Sequence, residues 1–303
     1  MPRILKFIAY LVLFVFSFIL FLYWMFPYEM LKDRVASAIE RPFGGTVEVS
    51  IGKMEPYYFT GFIITNLKLI DRSQEEPKPL VEIQRVRARA SLFSLLLGNP
   101  SFTFLIRSQK GEIAGSARQI EEGFDLDVDV DGFDVGAIKW LESRFGIKLT
   151  GEVGGSVVLK VDRTRPARTT GKIDLSLDDF KIVSSQITLM GSNIPLPDLV
   201  ITKGRGSRIK LVIDKGTVSV DEFRLAEGDF SFDLKGKVFL STVLANYRLN
   251  LNGSFRVSDK LNEAVPILFM VEKQKQQDGS YPLSITGRVS EPSIKIGTFT
   301  VPL

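Results

Sequence analysis

The order of hydrophobic and polar residues changes period along the chain, and each change marks a different kind of element. Residues 7–26 (FIAYLVLFVFSFILFLYWMF) form a run of twenty without a charge. As a helix such a run spans about 30 Å, the thickness of a bilayer core, and this one lacks the polar stripe that a solvent-facing helix shows. It predicts a transmembrane anchor that includes Phe7, Leu13, Phe16, Leu20 and Trp24. Tyr23, Trp24 and Tyr28 at its distal end form the aromatic belt expected at a membrane interface. The next segment places Leu31, Val35, Ala38 and Ile39 at helical spacing before Pro42 and Gly44-Gly45 end it, so a short helix leaves the membrane.

From residue 46 the period falls to two, which is the period of a strand with one buried face. Strands are expected at 46–51, 62–70, 81–90, 102–108, 112–118 and 124–130, with Gln109-Lys110-Gly111 as a hairpin turn. Two helices interrupt them. One is a short apolar piece at 91–97, and the other runs over 134–145 with apolar Val135, Ile138, Trp140 and Leu141 and Gly146 as its stop. Further strands follow at 149–161, 170–177, 209–213, 217–225, 230–240 and 247–255, then a helix at 261–271 and strands at 282–289 and 294–296. Segment 247–255 is the clearest: Tyr247, Leu249, Leu251 and Phe255 face one way, Arg248, Asn250, Asn252 and Ser254 the other.

The expected fold is therefore mainly β. An N-terminal transmembrane helix (1–27 with its cytoplasmic stub) is followed by a large antiparallel, curved β-sheet domain over 28–303, with a few short helices. Few helical segments exist to cover so many one-sided strands, so either two sheets pack as a sandwich or one sheet curls into an apolar groove. No low-complexity linker divides the domain, and the expected exposed break within it is Arg163–Arg168 (RTRPAR).

Charge sets the orientation. Arg3 and Lys6 precede the span, which puts the N-terminus in the cytoplasm and the bulk across the membrane. The apolar run is longer than a signal-peptide core and no small-x-small site follows it, so it is expected to stay as an anchor. A net charge of +4 suits anionic headgroups as well as any other partner. Cys and His are both absent, which excludes disulfides, thiol nucleophiles, Cys/His zinc sites and Ser-His-Asp triads. A Cys-free exported domain fits a bacterial periplasm.

Two constellations remain. Asp125, Asp127, Asp129 and Asp131 alternate along one strand face, and Asp127-x-Asp129-x-Asp131-Gly132 opens like an EF-hand loop, yet position twelve is Ile138 rather than Glu. They read as a solvated strand face. Arg85, Arg87 and Arg89 form a basic ladder able to contact lipid phosphates or an acidic partner. Gly151, Gly154, Gly155, Gly204 and Gly206 match no nucleotide-binding spacing and read as turns or bulges. No RNP-like or zinc-finger motif supports nucleic-acid binding. No catalytic residue, metal site or cofactor is expected, and the chain reads as non-enzymatic.

Five stretches carry a family resemblance: GGTVEV at 44–49, TGFIITNLKL at 60–69, SLFSLLLG at 91–98, LTGEVGG at 149–155 and YPLSITGRVSEPSI at 281–294. In these and in its layout the chain resembles the type II secretion system protein N family (GspN), which shares its design with the AsmA-like proteins of the Gram-negative envelope. The resemblance implies a single-pass protein of the bacterial inner membrane facing the periplasm. It would be an accessory component of the machine that carries folded proteins across the outer membrane, with other components of that machine as partners. The AsmA-like relatives imply a second reading, an apolar β-groove that binds or transfers membrane lipids.

Overall fold

The computed structural model describes residues 3–25, 28–41, 46–58, 60–72, 77–91, 93–94, 97–183, 185–189, 192–204, 206–264 and 266–301. The chain begins with helix α1 (Arg3–Met25), 23 residues long, and α2 (Tyr28–Glu40). Strands follow as β1 (Val47–Tyr57), β2 (Gly61–Asp71), β3 (Lys78–Ala90), β4 (Ser101–Arg107), β5 (Glu112–Ile120) and β6 (Gly123–Asp134). A 3-10 turn (Val135–Ala137) and α3 (Trp140–Phe145) lead into β7 (Leu149–Asp162) and β8 (Thr170–Ile182). Next come β9 (Ser185–Leu189), β10 (Ser192–Leu196), β11 (Leu199–Val200), β12 (Arg208–Asp214), β13 (Thr217–Leu225), β14 (Phe230–Phe239) and β15 (Arg248–Val257). Helix α4 (Asp259–Ala264) and a 3-10 segment (Pro266–Gln274) precede β16 (Tyr281–Arg288), β17 (Glu291–Ile296) and β18 (Phe299–Thr300).

Sixteen of these strands form one antiparallel sheet in chain order, β1 through β8 and then β12 through β18, with β11 added beside β8. Only β9 and β10 stand apart, as a two-stranded hairpin. The curved single sheet is thus the arrangement adopted, and a second packed sheet is not. Arg163–Arg168 is an exposed turn and not a domain break, because β7 and β8 on either side of it pair along nearly their whole length. Curvature enters where strands carry irregularities, as between Val130 and Phe133 on β6 and between Val220 and Phe223 on β13. At Gly236 the backbone takes φ +140°, and a Cβ there would lie 2.2 Å from the Asn250 carbonyl oxygen, so only glycine lets β14 and β15 approach at this bend.

Two expected helices are shorter than their periodicity implied. The segment 134–145 breaks in the middle: the Asp134 carboxylate caps Gly136 N–H at 2.8 Å, and Ile138 turns extended to bridge Val81 of β3. Only Trp140–Phe145 is α-helical, ended by Gly146 at φ 70°. The segment 261–271 likewise divides between α4 and the 3-10 segment, with Pro266 at the start of the latter. The expected helix at 91–97 falls partly outside the described residues. Strands β9, β10 and β11 were not expected at all.

A meander puts the connections after odd and even strands at opposite ends of the sheet. At one end, termed the short-loop end, lie 58–60, 91–100, 121–122, 163–169, 215–216, 240–247 and 289–290. At the other, the long-loop end, lie the extended crossings 135–148, 183–207 and 258–280. α2 packs Leu31, Val35, Ala36 and Ile39 onto Val49, Ile51, Met54, Ile64 and Leu67 of β1 and β2. Burying such side chains is worth up to about 1.5–3 kcal/mol each, which fixes the helix to the sheet. The Glu40 carboxylate accepts from Val49 N–H at 2.7 Å, whereas Lys32 Nζ reaches Gly52 O at 3.5 Å. The C-terminus of α2 therefore sits toward the long-loop end, and its first turn points toward the short-loop end.

No cluster of buried apolar side chains among the described residues includes a residue of α1. Phe7, Leu13, Phe16 and Leu20 are 70, 60, 62 and 45 % exposed. The side chain of Trp24 lies outside the described residues. Among the described residues no helix is long and apolar enough to cross a membrane.

Candidate functional site

The sheet has two chemically distinct faces, set by strand alternation and carried across every pairing. One row of directly paired residues runs Pro56, Phe62, Ala88, Phe104, Gly115, Val128, Val157, Ile173, Leu211, Val220, Gly236, Leu251, Ile285, Ile294. That row crosses from β1 to β17 without a charge. The row one step nearer the short-loop end is similar: Phe102, Ala117, Leu126, Leu159, Gly171, Ile213, Val218, Val238 and Leu249 pair in turn from β4 to β15. At about 4.8 Å per strand the row from β1 to β17 extends roughly 60 Å.

This apolar face is covered unevenly. Under the long-loop crossings it is a true core: Val135 packs on Leu177 and Phe180, and Val271 on Phe255 and Tyr281. Buried hydroxyls hold the 183–207 crossing down. Thr202 Oγ1 accepts from Phe180 N–H at 2.9 Å, and Ser207 Oγ accepts from Ala226 N–H at 2.9 Å, both side chains being fully buried. Toward the short-loop end Leu126, Val128, Val157, Leu159, Ile213 and Leu249 are only half-buried. The result is an apolar trough roofed at one end and open at the other. The accessible surface of 19525 Å² reflects this. A compact protein of 33.9 kDa would expose about 12,800 Å². α1 and the single-layered sheet both contribute to the excess.

A hollow of about 330 Å³ lies beneath the first crossing, walled by Leu67, Ile83, Asp134 and Ala137 among others. Lys139 Nζ meets Glu82 at 2.7 Å there and ties the crossing to β3. The hydrogen bond from Lys139 holds the Glu82 carboxyl below its ordinary range, with Lys68 assisting.

The opposite face is polar. It carries Arg85, Arg87 and Arg89 on β3, paired on one side with Thr65, Ile63 and Gly61 and on the other with Arg107, Leu105 and Thr103. The structure thus brings the three arginines into one row near the short-loop end. Arg87 lies over the Tyr57 ring at 5.8 Å and Arg89 over Tyr58 at 5.3 Å. Among the described residues none of the three forms an ion pair. Among the described residues the buried Arg87 Nε has no hydrogen-bond partner. Asp125, Asp127, Asp129 and Asp131 share this polar face, opposite Lys160, Val158 and Ser156 of β7. Among the described residues no group of acidic side chains is placed to hold a metal ion.

The trough was foreseen as one of two arrangements, but its open and roofed ends were not. The signal was present in the loop lengths: every long connection follows an even-numbered place in the strand order, and in a meander those all fall at one end. No family model, curated protein or solved structure matches the chain.

Proposed function

We propose that the protein is a membrane-anchored, non-enzymatic envelope module whose apolar trough accommodates lipid acyl chains. The observation that supports this most is the unbroken apolar row from Pro56 to Ile294, buried at Val220 and Leu251 but only half-buried from Ala88 to Ile173, on a single-layered sheet. A half-buried apolar face without a second layer over it is the kind of surface that marks a binding site. Acyl chains fit the trough because they need no polar partner along their length, and each buried methylene stabilises the complex by about 0.8 kcal/mol.

In this reading α1 is a transmembrane anchor. It is supported by its 23-residue length, its uncharged run over 7–26 and its exposed apolar side chains. Arg3 and Lys6 favour a cytoplasmic N-terminus, which leaves the sheet in the periplasm at the inner membrane. The sequence resemblance to the type II secretion system protein N family favours a companion role: the module acts as an accessory of that secretion machine and contacts its other components. Arg85, Arg87 and Arg89, unpaired among the described residues, are the proposed contact for lipid phosphates or an acidic partner.

Extraction of the full-length protein in mild detergent, followed by mass spectrometry of bound lipid, tests the first role. Stoichiometric phospholipid or fatty acid is expected. A lipid-free protein that also takes up no labelled phospholipid refutes it. Comparison of the secreted proteome with and without the gene tests the second role, and unchanged export of every type II substrate refutes that one independently.

A further inference from the structure

The short-loop end of the sheet has a distinct surface of its own. The 91–100 connection exposes Phe93 at 80 % and Leu97 at 75 %, and the 240–247 connection exposes Val243 at 53 % and Leu244 at 66 %. Tyr58 and Val289 are exposed at the same end. These side chains are presented by loops with internal hydrogen bonds. Leu97 N–H donates to Phe93 O and Asn99 N–H to Ser94 O, while Ser290 N–H donates to Ala245 O across to the neighbouring turn.

Between the two apolar loops lies a basic turn. Asp162 Oδ1 accepts from the N–H groups of Thr164 and Arg165, which shapes the turn and leaves Arg163, Arg165 and Arg168 exposed. Lys215 is exposed in the adjacent hairpin. The short-loop connections contain these four cations against Glu121 and Glu122, and Glu122 Oε2 is engaged by the Thr164 hydroxyl. Counted over all connections at the long-loop end, the three crossings together with 72–77, 108–111, 226–229 and 297–298, the sequence has ten Lys or Arg and ten Asp or Glu, and so no net charge. Exposed apolar side chains alone do not separate the ends, since Phe269 at the long-loop end is 76 % exposed. Charge and direction do: α2, into which α1 leads, begins toward the short-loop end.

We propose that this end docks on the surface of an anionic bilayer, the same membrane that α1 enters, with Phe93, Leu97, Val243 and Leu244 seated among the acyl chains and the arginine turn on the headgroups. The combination of apolar side chains and cations is what an interfacial site requires, each contributing separately to binding. The open end of the trough then faces the lipid source, and the roofed end faces away from it. This inference rests on the reading of α1 as an anchor and deepens the lipid-binding role.

The chain has no cysteine, so a single introduced one gives a unique label. Full-length protein carrying Leu97→Cys, Leu244→Cys or Phe269→Cys, each labelled with an environment-sensitive fluorophore, is reconstituted into vesicles of phosphatidylcholine and phosphatidylglycerol containing acyl-brominated lipid. Labels at 97 and 244 are expected to shift to the blue and lose about half their emission to the bromines, as side chains buried 5–10 Å into the interface would. The label at 269 is expected to remain aqueous, because β7, of 14 residues, separates the ends by about 45 Å. Vesicles of phosphatidylcholine alone should give weaker quenching, and equal quenching overturns the anionic preference. Labels at 97 and 244 that behave like the one at 269 overturn the docking. So does a blue shift without bromine quenching that grows with protein density, which would mean a second copy covers this end. Bound lipid is measured on the same preparation in detergent. Lipid in the trough with aqueous labels rejects the docking and leaves the lipid-binding role standing, and quenched labels on a lipid-free protein do the reverse.

Discussion

Leu126→Glu is the sharpest test of the trough. Leu126 stands between Ala117 on β5 and Leu159 on β7, in the row nearest the open end, and belongs to none of the four buried clusters. Its side chain is half-buried, so a carboxylate there retains access to water and the sheet keeps its pairing. For a bound acyl chain the same carboxylate denies apolar contact to about three methylenes. At about 0.8 kcal/mol each the loss is about 2.4 kcal/mol, or roughly fiftyfold in affinity. The fold should lose no more than about 1 kcal/mol, a shift of about 2–4 °C in Tm. Ser219→Glu is the matched control, because Ser219 lies on the polar face beside Lys237. Equilibrium binding of a fluorescent fatty acid to the full-length protein in detergent, with Tm measured in parallel, separates the two effects. Equal binding by wild type and Leu126→Glu, or an equal loss in Ser219→Glu, would refute the assignment of the apolar face as the binding surface.

Three further outcomes are expected. Phe14→Arg, in the middle of α1, should cost about 2.5–3.5 kcal/mol of insertion and shift part of the protein out of the membrane fraction in a flotation assay. Ser207→Ala strands the buried Ala226 N–H and should destabilise the fold by about 1–3 kcal/mol in urea titration, with no effect on insertion. The Ser280 hydroxyl and N–H, helped by Arg256, hold the Asp278 carboxyl down to about 2. A depressed folded pKa contributes stability above the ordinary aspartate range and loses it as pH falls through that value. Asp278→Ala should therefore lower Tm at pH 7 slightly and by a constant amount down to about pH 5, and the difference from wild type should vanish between about pH 4 and 2.

Strand identity was legible because the two faces differ so plainly. Leu249 and Leu251 against Arg248 and Asn250 leave one phase for β15, and the structure adopts it. Segment 134–145 misled for a physical reason: Val135, Ile138, Trp140 and Leu141 fit a helix by spacing, yet Ile138 gains a β-bridge to Val81 that a continuous helix would forbid. The hairpin β9–β10 carries Pro195 and little alternation, so neither local propensity nor periodicity marked it. The row of Arg85, Arg87 and Arg89 was legible as a ladder, but its stacking on Tyr57 and Tyr58 depends on the β1–β2 turn and lay beyond sequence. The exposure of Phe93 and Leu97 was hidden for a related reason, because the apolar run 91–97 does not say to which end of the sheet it belongs.

The strict chain order of the sheet also governs how it can form. Apart from the step from β8 to β12, each strand pairs with the strand that immediately precedes it, so a chain delivered N-terminus first can add hairpins one after another. Loop closure at each step is short, which keeps the entropic barrier low despite the sheet's size. The exceptions are the 183–207 and 258–280 excursions, during which most of the β8 edge and then the β15 edge stand unpaired. Assembly should pause at each, and those intervals are when the half-built sheet is most open to capture by a chaperone or to mispairing with another chain.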